Sequence, residues 1–317
     1  MIERIAAAIA EAETSRRLID VPNLDGFSGD CLIGCLQRLA SLNRDSDRCY
    51  VEVGVFRGLT LISVGCANRT TAAFGIDNFS QVDSEKRNRH VVDSHIAAHG
   101  LQNVTLIDAD FEDALSRLDE YLGGRRVGTY FVDGPHDYRS QLMCLELIRP
   151  HLSQSAAIVV DDSNYLHVRQ ANRDFLTIHR EFKLIYEAYT SVHPRNMNQR
   201  ELTEARQGWW DGVNIIVHDP DEHLEPMFPT VESDRRIFLN DHIVHSSRLA
   251  ANSNRAVEVL TNFMGWRPFS TARSLAKLWH ERSRVPGRLR GAFTSANTFS
   301  GDLQNRRMNP SVSRLHK

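Results

Sequence analysis

The 317-residue chain contains few cysteines, and they show none of the spacings typical of zinc sites or disulfide frameworks. The five are Cys31, Cys35, Cys49, Cys66 and Cys144. An odd number without paired Cys-x-x-Cys motifs excludes a disulfide-stapled scaffold and a zinc ribbon. Cys31 and Cys35 lie one helical turn apart, but no cluster of histidines or cysteines accompanies them. We therefore expect reduced cysteines in a cytoplasmic protein.

Long hydrophobic runs are also missing. No stretch of 18 apolar residues occurs, which argues against a membrane-spanning helix. The run Ile5 to Ala10 is too short for a signal peptide and is soon followed by Glu11 and Glu13. The formal net charge is only −2, with 41% hydrophobic and 25% charged residues. This composition favours one ordinary folded domain with additions.

A glycine-spaced turn follows an apolar run that ends at Glu52 and Val53. Glycines at 54 and 58 remove side chains where the backbone must bend and approach a ligand, and the next helix offers free N–H groups. Phe56 stands where a dinucleotide-binding Gly-x-Gly-x-x-Gly motif has its second glycine. An NAD(P)-dependent oxidoreductase remains an alternative, although Phe56 would obstruct a pyrophosphate. An ordinary strand-to-helix turn is another.

Acidic residues follow the next two predicted strands. Asp77 closes the run 72–76, and Asp108 and Asp110 follow the run 104–107. Because the carboxyl ends of neighbouring parallel strands lie side by side, Asp77 could accept the hydroxyls of a ribose beside the glycine turn. A helix N-cap is the alternative role for Asp77, and both roles could hold at once.

Three further acids close two β-branched runs. Asp133 follows the run 130–132, and Asp161 and Asp162 follow the run 158–160. Strands four and five of a parallel sheet would direct these carboxylates to one point, which suits Mg²⁺, Mn²⁺ or Ca²⁺. His136 lies three residues past Asp133 and could act as a general base. Helix capping, solvent exposure or, for His136, a bond within its own turn are the alternatives.

Together these motifs resemble the class I S-adenosylmethionine (SAM) methyltransferases, in the branch of metal-dependent small-molecule O-methyltransferases. That branch includes macrolide-sugar O-methyltransferases and cephalosporin hydroxylase-like proteins. The resemblance covers roughly residues 48–218. It rests on Glu-x-Gly-Val-x-Arg-Gly at 52–58, Asp-Gly-x-His-x-Tyr at 133–138 and the acidic pair at 161–162. The loop 153–156 departs from the family by lacking its usual Gly-Gly.

The resemblance implies methylation of a hydroxyl on a small molecule or on a sugar or glycan. It places the cofactor at Glu52, Gly54, Gly58, Asp77, Asp110 and Asp133. Within this set, Asp110 would receive the adenine amino group. It implies a divalent ion, first of all Mg²⁺, on Asp133, Asp161 and Asp162, with His136 as the base. It also implies a homo-oligomer. A non-catalytic protein that binds SAM or a sugar is the other alternative. Such a protein would keep the glycine-spaced turn but would not need the three acids.

The expected fold is α/β, with a doubly wound, mostly parallel seven-stranded sheet whose last strand is antiparallel, in the Rossmann-like class I arrangement. Residues 1–45 are expected to form a helical cover with Phe27 and Ser28 over the pocket, and residues 46–220 the SAM-binding domain. The long connection 191–212 contains Trp209 and Trp210, which could wall the acceptor pocket or simply pack.

Residues 221–266 are expected to be a helical extension. Asp241, His242 and His245 there could bind a metal on one helix face, although a solvated or packing role is favoured. The segment 267–317 carries eleven lysines or arginines and two acids in a chain whose net charge is −2. This asymmetry predicts a separate, poorly ordered basic tail, which could contact an acidic partner, nucleic acid or a membrane surface.

Overall fold

The computed structural model describes residues 1–44, 47–83, 85–231, 253–284 and 306–315. Its centre is a mixed sheet in which eight strands of these residues take part, in the spatial order β3-β2-β1-β4-β5-β7-β6-β8. The strands are β1 (Arg48–Val53), β2 (Ala73–Ile76), β3 (Val104–Ile107), β4 (Arg126–Val132), β5 (Leu152–Val160), β6 (Phe182–Ala188), β7 (Val213–His218) and β8 (Arg306–Met308).

Strands β1 to β5 run parallel to one another. Strand β7 runs antiparallel to both β5 and β6. The chain order reverses between β1 and β4, so β1 to β3 extend to one side and β4 to β7 to the other. This confirms the predicted doubly wound sheet with its antiparallel seventh strand. The eighth strand was not predicted.

Helices cover both faces of the sheet, as parallel strands with crossovers require. The helices are α1 (Ile2–Ser15), α2 (Asp30–Ser41), α3 (Leu59–Ala67), α4 (Asn88–Ala98), α5 (Phe111–Ser116), α6 (Asp119–Leu122), α7 (Tyr138–Ile148), α8 (Leu166–Ile178), α9 (Gln199–Gln207), α10 (Ser253–Met264) and α11 (Pro268–Arg284). The segment 111–122 is divided into α5 and α6, and α4 begins only at Asn88.

The strands are apolar on both sides because each side faces a hydrophobic core. Tyr50 and Phe131 point to one core, while Val51 and Tyr130 point to the other, and all four are fully buried. The near-continuous apolar runs in the sequence follow from this burial on both faces. The acids and glycines that end these runs are therefore brought to one edge of the sheet.

The C-terminal part differs from the expected poorly ordered tail. Strand β8 pairs antiparallel with β6, and a short 3₁₀ helix, Pro310–Arg314, follows it. Arg307 pairs with the fully buried Glu187 at 2.6 Å. Asn309 donates to the backbone oxygens of Leu184 and Glu225, both at 3.0 Å. Residues 306–315 therefore close the edge of the sheet.

Asp241, His242 and His245 lie outside the described residues. Among the described residues, no helix is both long and apolar enough to cross a bilayer.

Candidate active site

A cavity of about 260 Å³ opens where the carboxyl ends of strands β1 to β5 meet. Turns that leave these strands form its walls, and the linker between α1 and α2 closes one side. The lining includes Phe27, Ser28, Gly54, Phe56, Asp77, Asp110, Phe111, Asp133, His136, Asp162 and Trp210. This is the place at which open α/β sheets bind ligands, next to the reversal of strand order.

The glycine turn is held close to the end of β4. Gly54 has φ +90°, and a side chain there would place its Cβ 2.5 Å from the carbonyl carbon of Asp133. Real Cβ atoms essentially never come closer than 3.0 Å to another heavy atom. Gly58, with φ +86°, precedes α3 as its N-cap but does not line the cavity. Only glycine therefore fits at 54, for both conformation and space.

Asp77 fixes this turn from the neighbouring strand. Its Oδ2 accepts hydrogen bonds from the backbone N–H groups of Val55 and Phe56, at 2.8 and 2.9 Å. Its Oδ1 accepts from the N–H of Phe79 at 2.7 Å. Asp77 lines the cavity and does not cap a helix, since α4 begins only at Asn88. Contact with a ribose stays a prediction for this residue.

Glu52 lies beneath the turn and does not line the cavity. Its carboxylate is fully buried and accepts hydrogen bonds from Tyr50 Oη at 2.5 Å and Thr60 Oγ1 at 3.1 Å. Burial raises the pKa of Glu52 to about 8. The structure thus gives this carboxylate a role in joining β1 to α3, which differs from the expected direct contact with a cofactor.

The acids after β3 take separate roles. Asp110 lines the cavity and caps α5 by accepting from the N–H of Glu112 at 2.9 Å. Asp108 instead pairs with Arg89. Of these two acids, Asp110 is the one that lines the cavity, and its contact with an adenine stays a prediction.

Asp133, His136 and Asp162 form a cluster at the cavity wall. One ligand atom from each lies within 4.8 Å of the others, and His136 Nε2 is 3.0 Å from Asp162 Oδ2. Burial and the nearby charges of Asp161 and Asp162 raise the pKa of Asp133 well above its usual range. Burial opposes ionisation of Asp162, but the charge of His136 and its hydrogen bond hold the pKa of this carboxyl below the usual value.

Asp161 does not belong to this cluster, although it was predicted beside Asp162. It is 3% exposed, and its Oδ1 accepts from the N–H of Asp162 at 2.8 Å. Its Oδ2 is buried and has no hydrogen-bond partner among the residues that the structure describes. Burial and the charge of Asp162 raise its pKa well above the usual range. A buried carboxylate oxygen without a partner next to two more acids is a candidate cation ligand.

Sequence reasoning missed a fourth acid, Asp211, which lies behind the cluster. It is 1% exposed, and within the described ranges of the chain its Oδ1 has no hydrogen-bond partner. Burial and the charges of Asp162 and Asp161 raise its pKa well above the usual range. Its place in the sequence Trp-Trp-Asp-Gly at 209–212, at the end of a long connection, was the available signal.

Two aromatic rings connect His136 to Asp211. The His136 ring stacks on Tyr165, with centroids 5.4 Å apart. Tyr165 Oη is 2.8 Å from His193 Nε2, which lies 3.7 Å from Asp211 Oδ2. Burial lowers the pKa of His193 to about 4. These contacts hold the His136 ring in its orientation.

Strained backbone and aromatic side chains also mark the residues that line the cavity. Phe56, Asp162 and Trp210 all have positive φ, at 50°, 52° and 54°. Non-glycine residues in this conformation cluster at functional sites. Phe27 is 60% exposed and stacks on Phe56 and Trp210, at centroid distances of 5.3 and 6.4 Å. The expected cover by Phe27 is present, whereas Trp209 is buried against Tyr186.

The donors at this edge fit a hard divalent cation. Two carboxylates and an imidazole converge, and buried carboxylate oxygens of Asp161 and Asp211 behind them have no hydrogen-bond partner. Oxygen-rich sites of this kind suit Mg²⁺ or Mn²⁺. The Phe56 side chain lines the cavity where a pyrophosphate-binding glycine would be needed, so a dinucleotide fits poorly.

A family profile described as "Methyltransferase domain" matches residues 51–163. The chain is similar to the solved structure of the O-methyltransferase TomG from Streptomyces achromogenes in complex with SAM. The two are 18% identical, with a TM-score of 0.45 and coverage of 68% of this chain and 89% of that one. No curated protein matches the chain.

The chain is also similar to an O-methyltransferase from Bacillus cereus in complex with SAH. Identity is 14%, the TM-score is 0.41, and 69% of this chain and 90% of that chain are covered.

The family match spans β1 to the turn after β5, the same segment that carries the glycine turn and the acid cluster. Its sheet order and turn are those of a class I methyltransferase. Residues 51–163 thus match a methyltransferase domain, within a sheet that has the class I methyltransferase fold.

Proposed function

We propose that this enzyme is a divalent-metal-assisted O-methyltransferase that acts on a hydroxyl of a small molecule or of a sugar or glycan. The observation that carries the proposal is the cluster of Asp133, His136 and Asp162 within 4.8 Å, on the wall of the cavity that the glycine turn lines. Few structural roles require an imidazole and two acids at the edge of a cofactor cavity.

Asp133 and Asp162 would hold the ion, with Asp161 and Asp211 as the buried acids behind them. When bound, a divalent cation neutralises the repulsion among these carboxylates and lowers the pKa of a hydroxyl that it coordinates. Mg²⁺ is the ion we expect, because the donors that carry charge are all carboxylate oxygens.

His136 would accept the proton of the acceptor hydroxyl. The stack on Tyr165 and the contact with Asp162 hold its ring at the cavity wall. A base in a fixed orientation at this position contributes typically 10²–10⁴-fold to a proton transfer. The hydroxyl oxygen would then attack the SAM methyl group, and the sulfur would leave as the neutral thioether of S-adenosylhomocysteine.

The cofactor would lie along the turn between Gly54 and Phe56, with Asp77 towards the ribose and Asp110 towards the adenine. Both acids line the cavity. The methionine part of SAM would extend towards Gly54 and Asp133, because the cavity reaches the acid cluster there. This order places the methyl group beside the proposed metal.

The acceptor would enter past Phe27 and Trp210. These stacked rings, of which Phe27 is exposed and Trp210 is half-buried, line the same cavity as the acid cluster, and aromatic faces stack on sugar and aromatic rings. A glycoside or polyketide hydroxyl would fit this wall, with its vicinal oxygens towards the carboxylates.

Turnover of SAM over a panel of glycosides and catechols, with Mg²⁺ or with excess EDTA, tests the proposal. We expect turnover that EDTA abolishes. The variant Asp162→Asn should lower turnover at least about a hundredfold, since it removes a charge from the cluster. Asp119→Asn is the matched control, because Asp119 is a surface acid paired with His151. Full turnover in excess EDTA would refute the metal.

A further inference from the structure

A helical hairpin follows the methyltransferase domain in the sequence. Helices α10 and α11 are joined by the short turn 265–267, and in the described part of the chain each packs mainly against the other. The turn is closed by bonds from the N–H groups of Trp266 and Arg267 to the backbone oxygens of Phe263 and Asn262, both at 3.0 Å. None of these residues takes part in the cavity described above.

The contact between the two helices is polar. Ser274 is only 2% exposed, and its Oγ donates to Glu258 Oε1 at 2.9 Å. Asn262 Nδ2 donates to Ser274 Oγ at 3.0 Å. Arg255 completes the group by donating to Glu258 Oε2 at 2.8 Å. The polar side chains of the hairpin thus satisfy one another between the helices.

The large apolar side chains point away from this contact. Phe263 is 71% exposed, Met264 78%, Trp266 93%, Phe269 90% and Trp279 72%. A hairpin that folds in water alone buries such side chains and exposes polar ones. Here these five apolar side chains are exposed instead, and four of them lie in the turn 265–267 or within two residues of it. Exposed apolar surface of this extent marks a binding surface.

Basic side chains surround this apolar surface. Arg267, Arg273 and Lys277 are exposed, whereas the acid Glu258 is paired with Arg255. Positive charge around tryptophan and phenylalanine suits the boundary between anionic lipid headgroups and acyl chains. A neutral protein groove would use the apolar face as well, but it gives no reason for the cations beside the tryptophans.

We propose that the hairpin 253–284 binds the surface of an anionic lipid bilayer, with Trp266 and Phe269 inserted at the headgroup level. The helices lie on the membrane and do not span it, because neither is long and apolar enough. The methyltransferase domain would thereby be held near a membrane. This inference is independent of the proposed metal and acceptor.

Co-sedimentation of the full-length protein with vesicles tests the inference. Vesicles of phosphatidylcholine with phosphatidylglycerol should bind the protein, pure phosphatidylcholine vesicles should bind it weakly, and added salt should reduce binding. The double variant Trp266→Ser/Phe269→Ser should weaken binding at least about tenfold. Because both side chains are at least 90% exposed, the fold should not change.

Ile178→Ser is the matched control, since Ile178 is 65% exposed on α8, outside the hairpin. It should bind vesicles like the wild type. Arg273→Glu/Lys277→Glu should reduce binding to the anionic vesicles specifically. Wild-type protein that fails to bind anionic vesicles at low ionic strength would overturn the inference. So would sedimentation velocity without lipid showing that the hairpin variants only dissociate a dimer while vesicle binding is unchanged.

Discussion

Replacing Gly54 by alanine should damage the fold and the cofactor site together, for reasons that a second glycine can separate. An alanine at φ +90° costs about 1–2 kcal/mol in backbone strain alone. Its Cβ would in addition lie 2.5 Å from the carbonyl carbon of Asp133, so the ends of β1 and β4 must move apart. Forced displacement of this kind costs about a further 1–3 kcal/mol.

Gly124 is the matched control for this substitution. It has φ +82°, and a Cβ there meets nothing within 4 Å. Gly124→Ala should therefore lose only about 1–2 kcal/mol of unfolding free energy, whereas Gly54→Ala should lose about 2–5 kcal/mol. Denaturant unfolding measures both values.

Calorimetry with SAM completes the comparison. We expect the affinity to fall about ten- to a hundredfold in Gly54→Ala, because the turn and the Asp133 backbone both border the cavity, and to stay unchanged in Gly124→Ala. If the two variants matched in stability and in affinity, the close approach between the turn and Asp133 would have no functional weight.

Three further predictions concern single side chains. His136→Ala should slow methyl transfer by about 10²–10⁴-fold, with SAM affinity near normal. Stopped assays at saturating Mg²⁺ measure this rate. A loss of only a fewfold would contradict the role of His136 as the base. Burial raises the pKa of Glu52 to about 8, so its stabilising contribution is full below pH 4.5 and falls by up to about 4 kcal/mol as pH rises through 8. Urea unfolding across that range should show this decline in wild type and a flatter profile in Glu52→Gln. Arg307→Ala should lower the free energy of unfolding by about 1–3 kcal/mol, because it leaves the buried Glu187 without its cation. Arg314→Ala removes one partner of a solvent-exposed pair and should lower it by less than about 1 kcal/mol. Equal losses in the two variants would argue against the contact at the sheet edge.

The sequence was sufficient to predict the sheet, because its parallel strands are apolar on both faces and end in acids or glycines. The same pattern of strand ends predicted Asp133, His136 and Asp162 at one edge of the sheet, where the structure has them. The sequence did not show which of Asp161 and Asp162 joins the cluster. This depends on the turn after β5, where Asp162 has φ +52°. That local conformation is fixed by packing and not by the two identical residue types.

Residues from distant parts of the chain were beyond sequence reasoning. Asp211 and His193 reach the cluster through the connection between β6 and β7, whose path depends on α9 and its capping box at Asn198. Glu52 was predicted at the cofactor, but the pleat of β1 turns it towards Thr60 under α3. Strand β8 has only three residues, too few for a hydrophobic period to predict a partner.

The pairing of β8 with β6 also affects how the protein is made. Strand β6 ends at residue 188, and its outer hydrogen-bonding edge stays open until residues 306–308 have been synthesised and have left the ribosome. At typical elongation rates of about 5–20 residues per second, this interval lasts on the order of ten seconds. An open edge strand can pair with another nascent chain. The nascent protein is therefore most exposed to aggregation after the catalytic site has been translated and before the sheet is complete.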